Sequence, residues 1–323
     1  MKKIGSAVLI ILGQVFAASL ASADTANTLS DPRDYQGLAV APNGTFSAYA
    51  YFRHVSAAVD SAGHGENLSQ TLGVARANYL LKFGNLSIVP IDLTLPYADA
   101  TVYVPQPMSP FGQTLNNTGL ADLTYLPTIG YTIHEGEEIH TILAATIYVT
   151  APTGNYNAPD LIHIGDNRWR FQGSLIAAQR YKMLTFDLVG DVTGYTNNRN
   201  FIVPLPGMGG MTTPTTEAIM QDPSIGVEAH VGADLSKTFW AAASFYFLSQ
   251  GAHTFEVFTA GGVDTGVKAT ATPQQSVETL RFTYGIHIEK QSQLLLQYNT
   301  DILESGGYAL TQYFGARFNH FFF

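Results

Sequence analysis

The chain has 323 residues, no cysteine and a net charge of −9. The charge supplies no basic surface for a nucleic acid, and the lack of cysteine excludes disulfides, thiol chemistry and cysteine-based metal sites. Charged residues make up only 13% of the sequence, about half of their share in an average globular protein. We therefore expect that part of the protein surface contacts a medium other than water.

Residues 1–23 have the pattern of a secretory signal peptide. Lys2 and Lys3 precede an apolar run, and Ala21–Ala23 matches an A-x-A cleavage site. Cleavage is expected near Ala23, followed by a short polar periplasmic segment over residues 24–43. No later apolar run reaches the roughly 18 residues of a membrane helix, so an exported chain of this composition is expected to cross a membrane with strands.

The sequence after residue 43 alternates between apolar and polar residues, with the period of two that is typical of a half-buried β-strand. In one segment Leu184 and Phe186 oppose Thr185 and Asp187. We predict an all-β transmembrane antiparallel barrel over residues 44–323 with twelve strands, because single-chain bacterial barrels have an even count; ten or fourteen strands are the alternatives. The predicted strands are Thr45–Phe52, Leu72–Phe83, Ser87–Leu95, Leu120–Ile133, Ile139–Val149, Arg168–Arg180, Leu184–Thr196, Ser224–Ala233, Phe239–Leu248, Val277–Glu289, Gln293–Ile302 and Tyr308–Phe323.

Short and long connections alternate along the chain, as they do in outer-membrane barrels with short periplasmic turns and long external loops. The predicted periplasmic turns are 84–85, 134–138, 181–183, 234–237 and 290–292. The predicted external loops are 54–70, 96–118, 151–167, 197–217 and 249–275. The residues predicted to face lipid include Leu143, Phe171, Leu188, Phe282 and Leu296.

Polar residues on the opposite strand faces predict the lining of the lumen: Asp122, Arg168, Arg170, Asp187, Asp191, Thr193, Arg281, His287 and Gln297. Arg168, Arg170, Asp187 and Asp191 are expected to share one patch of the inner wall. That patch would act as a selectivity filter or as an ion-pair network that fills and stiffens the barrel.

Two prolines interrupt predicted strands. Pro90 and Pro127 cannot donate to a ladder, and a closed barrel has no edge strand to accommodate them. We predict a kinked or bulged wall at this point, which is either a local adjustment of curvature or a side exit for apolar compounds into the membrane.

Several motifs resemble one family. They are Pro32–Tyr35, Gly119–Thr124, Thr150–Tyr156 and Ile164–Trp169. Together they resemble outer-membrane transporters of the phenol-degradation MetA-pathway family, including SphA-like proteins. The resemblance implies a monomeric barrel that passes aromatic or lipid-like compounds.

Functionally related fatty-acid and toluene transporters carry a folded N-terminal hatch. Residues 24–43 are expected to be too short and too polar to form one, so loop 197–217 or loop 249–275 would have to close the barrel.

The expected function is therefore an outer-membrane channel for small hydrophobic or aromatic compounds, phenol-like or lipid-like, without a cofactor or a metal. The alternative is a structural or adhesive barrel that conducts nothing. A hydrolase is less favoured, because no G-x-S-x-G motif is present. The expected partners are the lipid bilayer, a small apolar solute and the barrel assembly machinery, which would recognise the terminal Phe323.

Overall fold

The computed structural model describes residues 30–59, 66–104, 113–134, 136, 138–157, 160, 162–202, 216–258, 264–305 and 311–323. The predicted signal peptide and its cleavage site lie outside the described residues. Among the residues that are described, no helix is both long and apolar enough to span a membrane.

The described residues form one short helix and many antiparallel strands. The helix is α1 (Gly37–Val40). In chain order the strands are β1 (Phe46–Val59), β2 (Glu66–Phe83), β3 (Leu86–Val104), β4 (Gln113–Leu120), β5 (Thr124–Tyr125), β6 (Thr128–His134), β7 (Ile139–Thr150), β8 (Arg170–Tyr181), β9 (Leu184–Tyr195), β10 (Asn198–Ile202), β11 (Thr216–Gln221), β12 (Ser224–Asp234), β13 (Phe239–Gln250), β14 (His253–Phe258), β15 (Asp264–Thr272), β16 (Gln275–Glu289), β17 (Ser292–Ser305) and β18 (Thr311–Phe322).

The wall is a closed antiparallel barrel of twelve strands, as predicted. It closes where β1 pairs with β18, with Phe46 opposite Phe322. Around the wall the order is β1, β2, β3, then β5 and β6 in line, β7, β8, β9, β12, β13, β16, β17 and β18. The short turns gather at one end of the barrel, which we call the short-turn end, and the opposite end is the long-loop end.

The strands at the long-loop end run further than the sequence pattern indicated. Most of predicted loop 54–70 belongs to the β1–β2 hairpin, and predicted loop 96–118 consists largely of paired β3 and β4. Predicted loops 197–217 and 249–275 contain strands as well, because β10, β11, β14 and β15 form a separate four-stranded sheet. These segments lack the alternation that lipid imposes, so their ladders were not visible in the sequence.

The predicted lipid face is confirmed. Leu143, Phe171, Leu188, Phe282 and Leu296 all point outward and are 45–55% exposed to the barrel surroundings. Outward aromatic residues also ring the short-turn end, where such girdles mark the membrane interface: Phe46, Phe83, Tyr131, Tyr181, Phe239, Tyr284, Phe322 and Phe323.

Outward and inward residues alternate along the last strand, β18. Phe314, Phe318 and Phe322 face outward, whereas Arg317 and Asn319 are buried inside. Recognition of Phe323 by the assembly machinery stays a prediction.

The lumen is filled by the chain's own N-terminal segment. Ser30–Ala41, which we call the plug, enters from the short-turn end and bonds to inward-facing side chains of the wall. The expectation that this segment lies outside the barrel and is too short and polar to close it is therefore wrong for its described part. Its polar side chains are matched by polar side chains of the inner wall, so a compact apolar core is not required.

Candidate transport pathway and its plug

Asp31 anchors the plug at mid-lumen. One carboxylate oxygen accepts bonds from Arg281 Nη1 at 2.6 Å and from Gln297 Nε2 at 2.8 Å, and the other accepts a bond from Arg317 Nη1 at 2.7 Å. Arg317 Nη1 also lies 2.6 Å from a carboxylate oxygen of Asp34. Because Asp31, Arg281 and Arg317 are almost completely buried, these charge-assisted bonds are screened little by solvent.

Arg33 holds a second side of the plug. Its backbone N–H donates to Asp187 at 2.9 Å, and its guanidinium donates to Asp234 at 2.7 Å while stacking 4.4 Å above the ring of Trp240. Arg180 of β8 binds the same Asp234 carboxylate. The φ angle of Arg33 is +71°, in the left-handed region that side chains other than glycine rarely adopt. These contacts on both the backbone and the side chain explain how the unfavourable backbone is held.

The rest of the plug fits the short-turn half of the lumen. Gln36 donates to Asp187 at 2.7 Å, and its amide oxygen lies 2.6 Å from His140 Nε2. Leu38 of α1 packs into a buried apolar cluster with Ile142, and its carbonyl accepts a bond from Ser87 at 2.7 Å. The plug is thus bound to strands on both sides of the barrel.

Two cavities remain on either side of the plug. One has a volume of about 90 Å³ and is lined by residues such as Tyr49, Arg53, Val74, Val89, Leu126 and Tyr148. The other has a volume of about 100 Å³ and lies toward the short-turn end. Both are bordered by Asp34, Leu38 and Tyr49, so the plug separates them. Each is smaller than the roughly 150 Å³ cavity that holds one benzene in a well-studied engineered protein.

The wall is irregular at the two prolines, although the Leu126 N–H still donates to the carbonyl of Asp92 at 2.8 Å and the Ile147 N–H to that of Pro127 at 3.2 Å. Leu126 and Pro127 separate β5 from β6, and the register of β3 differs by one residue between its pairing with β5 and its pairing with β6. The β2–β3 ladder shifts register at the same height. On the outer side, the hydroxyl of Tyr125 donates to the carbonyl of Pro90 at 2.6 Å. Leu126 on the inner side lines the 90 Å³ cavity, so that cavity reaches the irregular section of wall, which we call the wall break.

A folded loop covers apolar side chains of the inner wall at the long-loop end. Ile162 and Ile164 pack against a buried cluster that includes Val74 and Ala100. Asp122 fixes this loop, because its carboxylate accepts backbone N–H bonds from Gly154 at 2.7 Å and from Asp166 at 2.8 Å. Glycine is required at Gly154 and Gly165, where a Cβ would lie within about 3 Å of the neighbouring backbone. The family motifs around these positions thus specify a loop that folds inward.

The predicted lining residues divide into three groups. Arg281, Gln297 and Asp187 bind the plug, and Asp122 binds the loop. Arg168 donates to Gln221 near the long-loop end, and Arg170 donates to Thr150. Thr193 is buried and Asp191 half-buried on the inner face of β9, whereas His287 is exposed at the short-turn end.

The predicted single patch of four charges is wrong. In the β8–β9 register, Arg170 lies opposite Tyr195 and Asp187 lies opposite Ala178. Those positions are eight residues apart along the strand, or roughly 26 Å at about 3.3 Å per residue. The arginines therefore serve the long-loop end and Asp187 serves the plug.

Sequence reasoning missed several inward-facing residues. Arg317 binds two plug carboxylates, Glu228 accepts bonds from Ser30, and His140 contacts Gln36. Arg76 and Asp92 form a bidentate pair between β2 and β3. The inward position of Arg317 could have been inferred from the sequence, because a charged residue between the apolar residues of the last strand has to face the lumen.

The chain matches the family model described as "Putative MetA-pathway of phenol degradation" over residues 37–317. Among solved structures, it is similar to the COG4313 outer membrane channel from Pseudomonas putida F1, with 21% identity, a TM-score of 0.72, and coverage of 91% of this chain and 100% of that one. A weaker likeness is to a TodX monoaromatic hydrocarbon channel mutant, with 9% identity, a TM-score of 0.44, and coverage of 88% and 90%. No curated protein sequence matches the chain.

Proposed function

The chain belongs to the family described as "Putative MetA-pathway of phenol degradation", and from that premise we propose that it is an outer-membrane channel for small apolar compounds, aromatic ones in particular. The observation that carries the proposal is the placement of the 90 Å³ cavity beside the wall break at Leu126 and Pro127. An apolar compound that leaves through this break enters lipid directly and avoids passage through water.

The plug argues against a pore for hydrophilic solutes. It divides the lumen, and neither remaining cavity is large enough for a sugar or an aromatic ring without movement of the plug. The lateral route requires movement of the plug and of the wall near Tyr125, but it does not require a continuous water-filled passage.

The same plug supports the alternative of a barrel that conducts nothing. If the plug never moves, the protein is a closed structural barrel. Uptake of toluene and of glucose into proteoliposomes separates the possibilities. We expect toluene uptake above that of protein-free vesicles and no glucose uptake, whereas uptake of neither would support the closed barrel. Lipase and protease assays on the same preparation test the less favoured hydrolase.

A disulfide staple tests the lateral route. Val89 and Thr128 are directly paired inward-facing residues at the edge of the break, and their distance as ladder partners suits a disulfide. The chain has no other cysteine. With Val89→Cys and Thr128→Cys, we expect oxidation to reduce toluene uptake at least about tenfold and reduction to restore it.

The matched control places the staple in a regular ladder. Ala242 and Thr283 are likewise paired and inward-facing, but they join β13 to β16 on the far side of the barrel from the break. Oxidation of Ala242→Cys with Thr283→Cys should leave uptake unchanged. If both staples act equally, the effect is general stiffening of the barrel, and the lateral route is wrong.

A further inference from the structure

The environment of Asp31 is a built carboxylate site. Its two oxygens accept three bonds, from Arg281, Arg317 and Gln297, at 2.6–2.8 Å. All three donors belong to the wall, on β16, β17 and β18, whereas the carboxylate belongs to the plug. The described ion pairs of Arg281 and Arg317 are all with plug carboxylates, those of Asp31 and Asp34.

The site is lined by aromatic faces and lies beside a cavity that has both polar residues, such as Arg76 and Asp92, and apolar residues, such as Val74 and Leu126, in its lining. Arg281 lies 4.5 Å above the ring of Tyr246, and Arg317 lies 5.5 Å above that of Tyr51. Tyr51 and Arg53 in turn line the 90 Å³ cavity that reaches Leu126 at the wall break. A ligand with a carboxylate at the arginines could therefore extend an apolar body along this cavity toward the break.

Displacement of the plug would leave these arginines in a poorly solvated site without their carboxylates, which is unfavourable unless another anion takes their place. We propose that this site binds the carboxylate of an apolar organic acid in place of Asp31, and that Asp31 is an internal competitor which closes the barrel until such a ligand displaces it. This inference rests on the proposed channel function and narrows its substrates to apolar bodies that carry a carboxylate.

The protein contains its own reporter for plug displacement. Trp240 is buried beneath Arg33, and Arg33 is only two positions from Asp31 in the sequence. The only other tryptophan in the sequence is Trp169 on the lipid face. In the full chain with Trp169→Phe, the emission of Trp240 reports whether Arg33 remains stacked. We expect benzoate to change this emission saturably, and benzyl alcohol and inorganic phosphate at equal concentration to leave it unchanged.

Octanoate is a second test ligand, and it shows whether the apolar part of the preferred acid is aromatic or aliphatic. A response to benzoate alone indicates an aromatic acid, and a response to octanoate alone indicates a fatty acid. Both results support the carboxylate site. An equal response to benzyl alcohol, or to phosphate, would overturn it, because the carboxylate or the apolar body would then be unnecessary. No response to either acid would overturn it as well.

Two variants separate competition from simple loosening of the plug. Asp31→Asn removes the internal carboxylate, so half-saturation by benzoate should occur at a concentration about tenfold lower or more, since a tethered competitor acts at millimolar effective concentration. Asp234→Asn loosens Arg33 but leaves the carboxylate site intact. An equal gain in both variants would show general loosening and contradict the proposal.

The benzoate titration needs only the Trp169→Phe substitution on the lipid face, so the proposal remains testable if Asp31→Asn or Asp234→Asn fails to fold. Transport is measured separately. Benzoate binding without uptake of any aromatic compound refutes the channel and retains the site. Toluene uptake without a benzoate response refutes the site and retains the channel.

Discussion

Two parts of the barrel wall contact the plug with different kinds of side chain. The anchoring wall, formed by β9, β12, β13, β16, β17 and β18, holds it with charged and polar side chains such as Asp187, Arg281 and Arg317. The interrupted wall, formed by β2, β3, β5, β6 and β7, contacts it with single hydrogen bonds such as that from Ser87 and with apolar side chains such as Ile142, and it also borders the 90 Å³ cavity.

The ladders differ in the same way at the middle of the wall. The β9–β12, β12–β13 and β13–β16 pairs have no register shift, and the β16–β17 pair shifts only toward its ends. On the interrupted wall, the β2–β3 pair shifts after Tyr79, and the register of β3 changes between β5 and β6. Directional ion pairs require fixed donor positions, which a regular ladder provides. A section of wall that must yield to a passing compound is better placed where few directional bonds would have to break.

The largest expected effect is on the anchoring side. Arg317→Met removes one of the two arginine partners of Asp31 and the 2.6 Å partner of Asp34, which costs on the order of 3–5 kcal/mol in the plugged state. The plug should then leave the lumen while the barrel stays folded. Maleimide labelling of a single Ser30→Cys, buried in the native protein, should become much faster.

The counterpart on the interrupted wall is Arg76→Met. Arg76 pairs with Asp92 across the β2–β3 ladder at 2.7 Å and lies 4.0 Å from Asp34 of the plug, so its loss should weaken mainly the barrel itself. We expect a lower unfolding temperature by gel mobility with less change in labelling of Ser30→Cys. If the two variants behave alike, the division between the walls is wrong.

The next effect concerns the outer face of the anchoring wall. Leu188 is outward-facing on β9, and an arginine there should lower the free energy of unfolding by about 2–4 kcal/mol, as charged residues do at mid-membrane positions. Thr193→Arg on the inner face of the same strand should cost much less. A refolding titration in lipid vesicles that gives equal costs would contradict the assigned faces.

A smaller effect is expected where the anchoring wall supports Arg33. A Cβ at Gly285 would overlap the ring of the buried Trp240, so Gly285→Ala should cost about 1–3 kcal/mol through overpacking. A Cβ at Gly173 on β8 would have nothing within 4 Å of it, and Gly173→Ala should be close to neutral. Thermal unfolding of the two variants measures the difference.

The smallest expected effect is a pH dependence of the loop whose Ile162 and Ile164 pack against the inner wall. Burial lowers the pKa of His163, which stacks on Tyr156, to about 4, against the opposing attraction of Asp160. Since the unfolded value is about 6.5, protonation favours the open loop. The stability of the closed loop is therefore complete above about pH 6.5 and falls as the pH drops toward 4.

Hydrogen exchange of the loop at pH 7 and pH 4.5 checks this expectation. Asp122, Asp160 and Asp166 are retained in a His163→Gln variant, so the difference between wild type and variant isolates the histidine. An identical pH dependence in both would assign the effect to the carboxylates.

The wall could be predicted from the sequence because the alternation of residues along each strand is a local property. Alternation at Leu184–Asp187 follows from one lipid face and one lumen face, and the β8–β9 register follows from a tight turn. In that register Arg180 pairs with Thr185 and Ser174 pairs with Asp191.

The plug was not predictable in this way. Pro32–Tyr35 has no periodicity, and its conformation depends on partners such as Arg281 that lie far away in the sequence. The same holds for the loop at Asp122, whose bonds to Gly154 and Asp166 cross between two segments. The number of strands and their lipid and lumen faces follow from the two-residue period of the sequence and from its short turns. The filling of the lumen follows from contacts between charged residues that are far apart in the sequence.

The bond between Asp31 and Arg317 joins residues separated by 286 positions. The order of folding follows from this separation, because long-range contacts form only after the loop-closure entropy between them has been offset. Arg281, Gln297 and Arg317 take their positions only when the last three strands are in the wall. We therefore expect the segment that precedes the first strand to be among the last to dock, so that the barrel forms before it is plugged.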